Sequence, residues 1–80
     1  MEKKLSQFAI GEKGTVIKIC TQGAVKRHLF DMGITPGTTI KLKKFAPFGD
    51  PIQISLRGYE LSIRKVEAET VIMNCGGEQE

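Results

Sequence analysis

Tryptophan is absent from this chain, tyrosine and histidine occur once each, and there are two cysteines. Each scarcity excludes something. Without a row of aromatic rings, the chain is poorly equipped as a stacking platform for single-stranded nucleic acid. One histidine, with no Cys-x-x-Cys and no His-x-His pattern, leaves a closed tetrahedral metal site short of donors. That histidine has no serine or cysteine beside it in sequence. A nucleophile needs a base within reach and a third group to orient it, so no enzyme activity is expected. Gly11, Gly14 and Gly76-Gly77 lack the spacing and the Lys-Ser/Thr ending of a phosphate loop. Two cysteines make no disulfide framework, and with no secretory segment the expected setting is reducing and cytoplasmic. No apolar run approaches the roughly 18–20 residues that span a bilayer, which predicts a soluble protein.

What is present is turn punctuation. The chain has 80 residues, the length of one small domain (1–80), with a core worth only about 3–5 kcal/mol and little room for a deep cleft. The densest punctuation runs from Arg27 to Gly37. Val25, Leu29 and Met32 fall at i, i+4 and i+7 and form one apolar stripe of a short helix, Ala24 to Met32. Gly33 follows where a left-handed residue ends a helix without a Cβ clash. Pro36-Gly37 then meets the requirement of a type II turn.

Around this segment the alternation of apolar residues predicts strands. Lys4 to Phe8 is a lead-in, one helical turn capped by Ser6. Gly11 to Gly14 is a turn, and Thr15 to Cys20 is a strand with Ile17 and Ile19 on one face and Val16 and Cys20 on the other. Thr38 to Phe45 is a second strand with Ile40 and Leu42 inward, and Lys44-Phe45 breaks its parity as a bulge or an end would. Pro47 to Pro51 is a loop. Ile52, Ile54 and Leu56 alternate with polar residues, as do Tyr59, Leu61 and Ile63, which predicts a hairpin bent at Gly58. Arg64 to Ala68 is a helical turn, Thr70 to Cys75 the last strand, and residues 76–80 a frayed tail. Five strands, a helix after the first and a helical turn before the last make a mainly β, SH3-like barrel. An OB-like barrel is the alternative, but its helix would come later in the chain.

The segments Gly11 to Val16, Leu29 to Gly37, Ala46 to Pro51 and Arg57 to Ala68 occur in this order over nearly the whole chain. With them the sequence resembles the FeoA family of bacterial ferrous iron transport. It is also similar to the SH3-like C-terminal module of iron-dependent repressors. The resemblance implies a cytoplasmic accessory or regulatory protein acting on the ferrous-iron permease FeoB, which carries its own cytoplasmic GTPase domain. It also implies a tie to transition metals. His28 departs from the family's more usual arginine, which removes a fixed charge and a forked donor beside Lys26-Arg27.

Binding is therefore the expected activity. One surface is the helix with its following turn: Lys26, Arg27, Phe30 and Pro36. Phe30 lies roughly 140° around from Val25, off the apolar stripe. It either anchors a partner, as aromatic residues do, or covers the barrel edge. The other surface is the loop from Phe45 to Pro51, with Phe48 as the exposed ring and Asp50 as a backbone cap or a contact to a basic partner. His28 and Asp31, i and i+3 on a helix, would hold a divalent ion, Fe2+ or Zn2+, only weakly. No cofactor is required. Cys20 and Cys75 end strands that pair antiparallel, which separates them by on the order of 16 Å and leaves two free, packed thiols. Arg57, Arg64 and Lys65 are expected to pair with Glu60, Glu67 or Glu69.

The net charge of +3 is unevenly placed, in Lys41, Lys43 and Lys44 as well as in the two basic pairs. Such charge suits an acidic protein surface, a phosphate or RNA, or is simply a solvated strand face. A metal-responsive sensor and a basic RNA-binding barrel stand as alternatives, although no nucleic acid is expected as a partner. Membrane association is expected only through the permease, and an open barrel edge with an exposed Phe30 would permit a homodimer.

Overall fold

The computed structural model describes residues 2–75, the Cys75 side chain excepted. In chain order the elements are β1 (Glu2–Lys4), β2 (Lys13–Ile19), α1 (Ala24–Asp31), β3 (Thr39–Phe45), β4 (Ile52–Leu56), β5 (Tyr59–Ile63), α2 (Lys65–Ala68) and β6 (Val71–Cys75). Single 3-10 turns span Leu5–Gln7 and Pro47–Gly49. The strands form one antiparallel six-stranded sheet in the order β1-β6-β2-β3-β4-β5.

The expected count of five strands is therefore short by one. Glu2–Lys4 pairs with β6 through Glu2↔Asn74, Lys3↔Met73 and Lys4↔Ile72. Three polar residues carry no alternation signal, and the pairing is supplied by the free edge of a strand about 70 residues away. β1 and β5 stand at the two ends of the pairing order, so the ladder does not close on itself. The helical turn before β2 also starts differently. Gln7 Oε1 accepts the Lys4 N–H at 3.0 Å, and Ser6 makes no cap.

Two bulges set which side chains reach the core. In β2 the register against β6 shifts between Val16 and Lys18. The extra residue resets the period-two alternation, so Val16 and Ile19 are both buried and Ile17 is only half-buried. The expected facing of Ile17 with Ile19 is overturned for that reason. β2 also begins earlier than expected, with Lys13 and Gly14 already paired to β3. In β3 the shift falls between Leu42 and Lys44, where parity breaks in the sequence. Leu5, Phe8, Leu29, Ile34, Ile40, Leu42, Ile54 and Met73 belong to one buried cluster.

The segment after α1 forms as its punctuation requires. The Gly33 N–H donates to the Phe30 carbonyl at 2.9 Å and the Ile34 N–H to the Leu29 carbonyl at 3.0 Å. With Gly33 at φ +93, these are the paired bonds of a Schellman cap, and its apolar contact joins Leu29 and Ile34, both fully buried. Thr38 N–H closes the next turn on Thr35 O at 3.1 Å, with Gly37 at φ +92. Leu56 pairs with Tyr59 across a two-residue loop in which Arg57 (φ 51) and Gly58 (φ 85) are both left-handed, the pattern of a type I′ hairpin.

Cys20 follows β2 beside Thr70, whereas Cys75 pairs with Gly14 at the other end of the β2–β6 ladder. The expected separation holds, but Cys20 is exposed rather than packed. The frayed tail expected at residues 76–80 lies outside the described residues. Among the described residues no helix is long and apolar enough to cross a membrane.

Candidate functional site

Helix α1 is anchored by few of its side chains. Leu29 is fully buried, Met32 packs partly against the core, and Val25 is 40% exposed. The stripe read from Val25, Leu29 and Met32 thus holds only at its C-terminal end, where the Schellman cap ties the helix to the core. The N-terminal half presents its side chains outward. Lys26, Arg27 and Phe30 are exposed and, with Gly23, line a shallow depression of about 330 Å³. The Lys26 Nζ lies 5.8 Å from the centroid of the Phe30 ring, within cation–π range. Three residues read from the sequence as partner-binding are therefore one contiguous patch, apolar at its middle and cationic at its rim. Phe30 is 40% exposed, so part of its ring is open to solvent.

His28 leaves the other side of α1. Its Nε2 is 3.8 Å from Glu67 Oε2 in α2. The partner carboxylate oxygen, Glu67 Oε1, accepts the Arg64 N–H at 2.9 Å and so fixes the start of α2. His28, Glu67, Asp50 and Pro51 border a second depression of about 380 Å³. The proline loop thus meets α1 along this depression at His28, on the side of the helix away from Lys26, Arg27 and Phe30. Asp50 is engaged there: its Oδ1 accepts the Lys65 N–H at 2.9 Å, capping α2 from 15 residues away.

The remaining expected site residues are dispersed. Pro36 is exposed in the turn after α1. Phe48 is fully exposed, whereas Phe45 is only 36% exposed and pairs with Ile52 on the core side. Asp31 is exposed and takes no part in the His28–Glu67 pairing. Among the described residues no three His, Cys, Asp or Glu side chains gather as a metal-holding group. His28 and Asp31 are therefore joined by no third such donor among the described residues.

Arg57 pairs with none of the three glutamates expected for it. Its guanidinium donates to Thr38 Oγ1 at 3.0 Å, because the hairpin tip folds over the turn that follows α1. Thr38 is buried, and its hydroxyl also meets Thr35 Oγ1 at 3.1 Å and the Gly33 carbonyl at 3.3 Å. Thr38 and Tyr59 are the positioning residues that sequence reasoning missed. Tyr59, whose hydroxyl donates to the Met32 carbonyl, carries no local signal, since that partner lies 27 residues away.

Residues 3–74 match the FeoA domain. The chain belongs to the FeoA family. An FeoA-like protein of Clostridium acetobutylicum, solved by NMR, is 40% identical to this FeoA-family chain. The two superpose with a TM-score of 0.88 over 99% of this chain and 92% of the other. An Fe(2+) transport protein A/Fe(2+) transporter FeoB fusion protein of Porphyromonas gingivalis is 26% identical over 77 residues. That match covers 90% of this chain and 9% of the fusion protein, so the chain corresponds to a small part of that relative's length. The fold recurs in a zinc-complexed FeoA of Stenotrophomonas maltophilia described as an SH3 domain protein (20% identical, TM-score 0.78, 90% of this chain and 89% of that one). It recurs again in a manganese-dependent transcriptional repressor (17% identical, TM-score 0.86, 94% of this chain and 37% of that one). At these identities the likeness is one of fold, and it matches the SH3-like and repressor-module resemblance read from the sequence.

Proposed function

We propose that this FeoA-family chain is a cytoplasmic accessory protein of bacterial ferrous iron uptake. In this reading it docks on the cytoplasmic part of an FeoB-type transporter through the outer face of α1. The observation that carries the proposal is the fusion relative, in which a homologous segment shares a polypeptide with an FeoB transporter. A segment that acts on a transporter in cis is held at high local concentration, and a free copy must instead bind it through a surface. The α1 face supplies one. Lys26 and Arg27 have no carboxylate partner among the described residues, and Phe30 stands between them as an aromatic anchor. The complementary surface is acidic with an apolar centre. Pro36 is exposed in the turn after the helix, and Asp50 and Phe48 belong to the proline loop, which meets α1 on its opposite side at His28. The activity is binding, with no reaction assigned.

The test is an amide NMR titration of the labelled chain with the transporter's cytoplasmic GTPase domain, run anaerobically with and without ferrous iron. Saturable shifts centred on residues 24–37 support the docking face. Shifts that appear only with iron make the chain a metal-responsive sensor instead. Absence of shifts at every concentration removes the GTPase domain as the partner.

A further inference from the structure

A second surface is unaccounted for by docking through α1. In β2 and β3, Lys13 and Lys41 are direct register partners. Their neighbours Gly14, Ile40 and Leu42 are buried, so both ammonium groups project from the outer face of the sheet. Lys44 pairs with Gln53, which lies between the buried Ile52 and Ile54, and therefore projects from that same face. Like charges set opposite each other across a ladder are destabilising. None of these three lysines has a carboxylate within ion-pair distance among the described residues. Lys43, at the bulge, is different: it lies 3.8 Å from Glu60, which is itself held by Gln53.

The hairpin that carries Lys41 and Lys44 ends in Phe48. Its ring is fully exposed, and its backbone is left-handed at φ 72, a conformation uncommon for a bulky residue. The exposed ring is unfavourable in water, whereas the backbone is that of the third residue of a type II turn, closed by the Gly49 N–H donating to the Ala46 carbonyl at 2.8 Å. A left-handed residue with an unsatisfied apolar side chain at a hairpin tip is the kind of outlier that argues for an external ligand.

We propose that the β3–β4 hairpin contacts the membrane directly, with Lys13, Lys41 and Lys44 binding anionic lipid headgroups and the Phe48 ring entering the interface. An unpaired cationic face complements an anionic leaflet, and its long stems suit the headgroup layer. A single projecting ring suits a deformable apolar layer and needs no preformed pocket. RNA fits less well. Successive bases require successive rings, and the other aromatic of this hairpin, Phe45, pairs with Ile52 on the core side. The inference does not depend on the transporter, and lipid vesicles alone test it.

The chain contains no tryptophan, so Phe48→Trp in the full chain gives a single emission signal at the tip. Vesicles of phosphatidylglycerol and phosphatidylcholine in equal parts are compared with vesicles of phosphatidylcholine alone. The expected result is a blue shift and co-flotation with the anionic vesicles only, both reversed by added salt. In the natural background, Lys41→Gln and Lys44→Gln each lower partitioning about fivefold, and Phe48→Ser lowers it about tenfold or more. All three positions are exposed, and the amide spectrum of each variant checks that it folds. Failure of the chain to float with anionic vesicles at low salt overturns the proposal. Flotation undiminished by Phe48→Ser overturns insertion of the ring. Binding to polyuridylate that the lysine variants lose, without vesicle binding, would reassign the face to RNA.

Discussion

The Tyr59 hydroxyl donates to the main-chain carbonyl of Met32 at 2.8 Å, joining the start of β5 to the end of α1 across 27 residues. Met32 caps the helix, so its carbonyl is among those with no partner inside α1. A Cβ built on Gly33 would lie 3.0 Å from the same hydroxyl. Arg57, at the tip of this hairpin, reaches Thr38 on the far side of the turn. The C-terminal end of α1 is therefore fastened to the β4–β5 hairpin at two points, which fixes how the exposed face of Lys26, Arg27 and Phe30 is presented.

Tyr59→Phe removes one hydrogen bond from this fastening and little apolar contact. The expected loss is about 0.5–1.5 kcal/mol. Urea unfolding should show a lower midpoint with an unchanged slope.

Gly33→Ala puts a Cβ on a residue at φ +93 and drives it toward Tyr59. The left-handed backbone alone costs about 1–2 kcal/mol. Part of the loss is contact with the hydroxyl, so Gly33→Ala should cost less in a Tyr59→Phe background. A double-mutant cycle measures that coupling, and strict additivity would remove the contact from the account.

Asp50→Ala frees the Lys65 N–H and weakens the start of α2. Loss of a capping acceptor costs about 1 kcal/mol. Hydrogen exchange at the Lys65 amide should accelerate while amides of β2 and β6 stay protected, since α2 is the only element this carboxylate caps among the described residues.

Phe48→Gly should stabilise the fold. Relieving a left-handed backbone gains about 1–2 kcal/mol, and the greater freedom of glycine in the unfolded chain returns about 0.4–1 kcal/mol of it. A melting temperature that falls in this variant would show that the ring makes a stabilising contact.

Phe30→Ala, and separately Lys26→Glu with Arg27→Glu, should weaken binding to the transporter's GTPase domain. Truncating a central aromatic anchor costs more than about 1 kcal/mol, roughly a fivefold loss or greater. The charge reversal should act mainly on the association rate and lose its effect in high salt. Calorimetry and stopped-flow mixing on folded variants measure these two effects.

Much of this protein is legible locally. The helix stop at Gly33, the turn at Pro36-Gly37, the hairpin at Gly58 and the bulge at Lys44 follow from residues that lie next to one another. Each is a backbone requirement that glycine, proline or a broken alternation announces within a few positions. The patch of Lys26, Arg27 and Phe30 is legible for the same reason, because helical spacing alone places those side chains together. Glu67 stands three residues after Arg64, a spacing that marks a helix start, yet its closeness to His28 has no local sign.

The sequence by itself determined the element types and order from Leu5 onward and the turn chemistry, since local sterics and periodicity act over a few residues. Tertiary structure alone decided the rest. It paired Glu2–Lys4 with β6, turned Ile17 aside and Val16 inward at the β2 bulge, sent Asp50 to Lys65 and Arg57 to Thr38, and set Lys13 against Lys41. All of these depend on register between strands or on contacts between segments far apart in sequence. Such register is set by the packing of the whole core, which no short stretch of residues encodes.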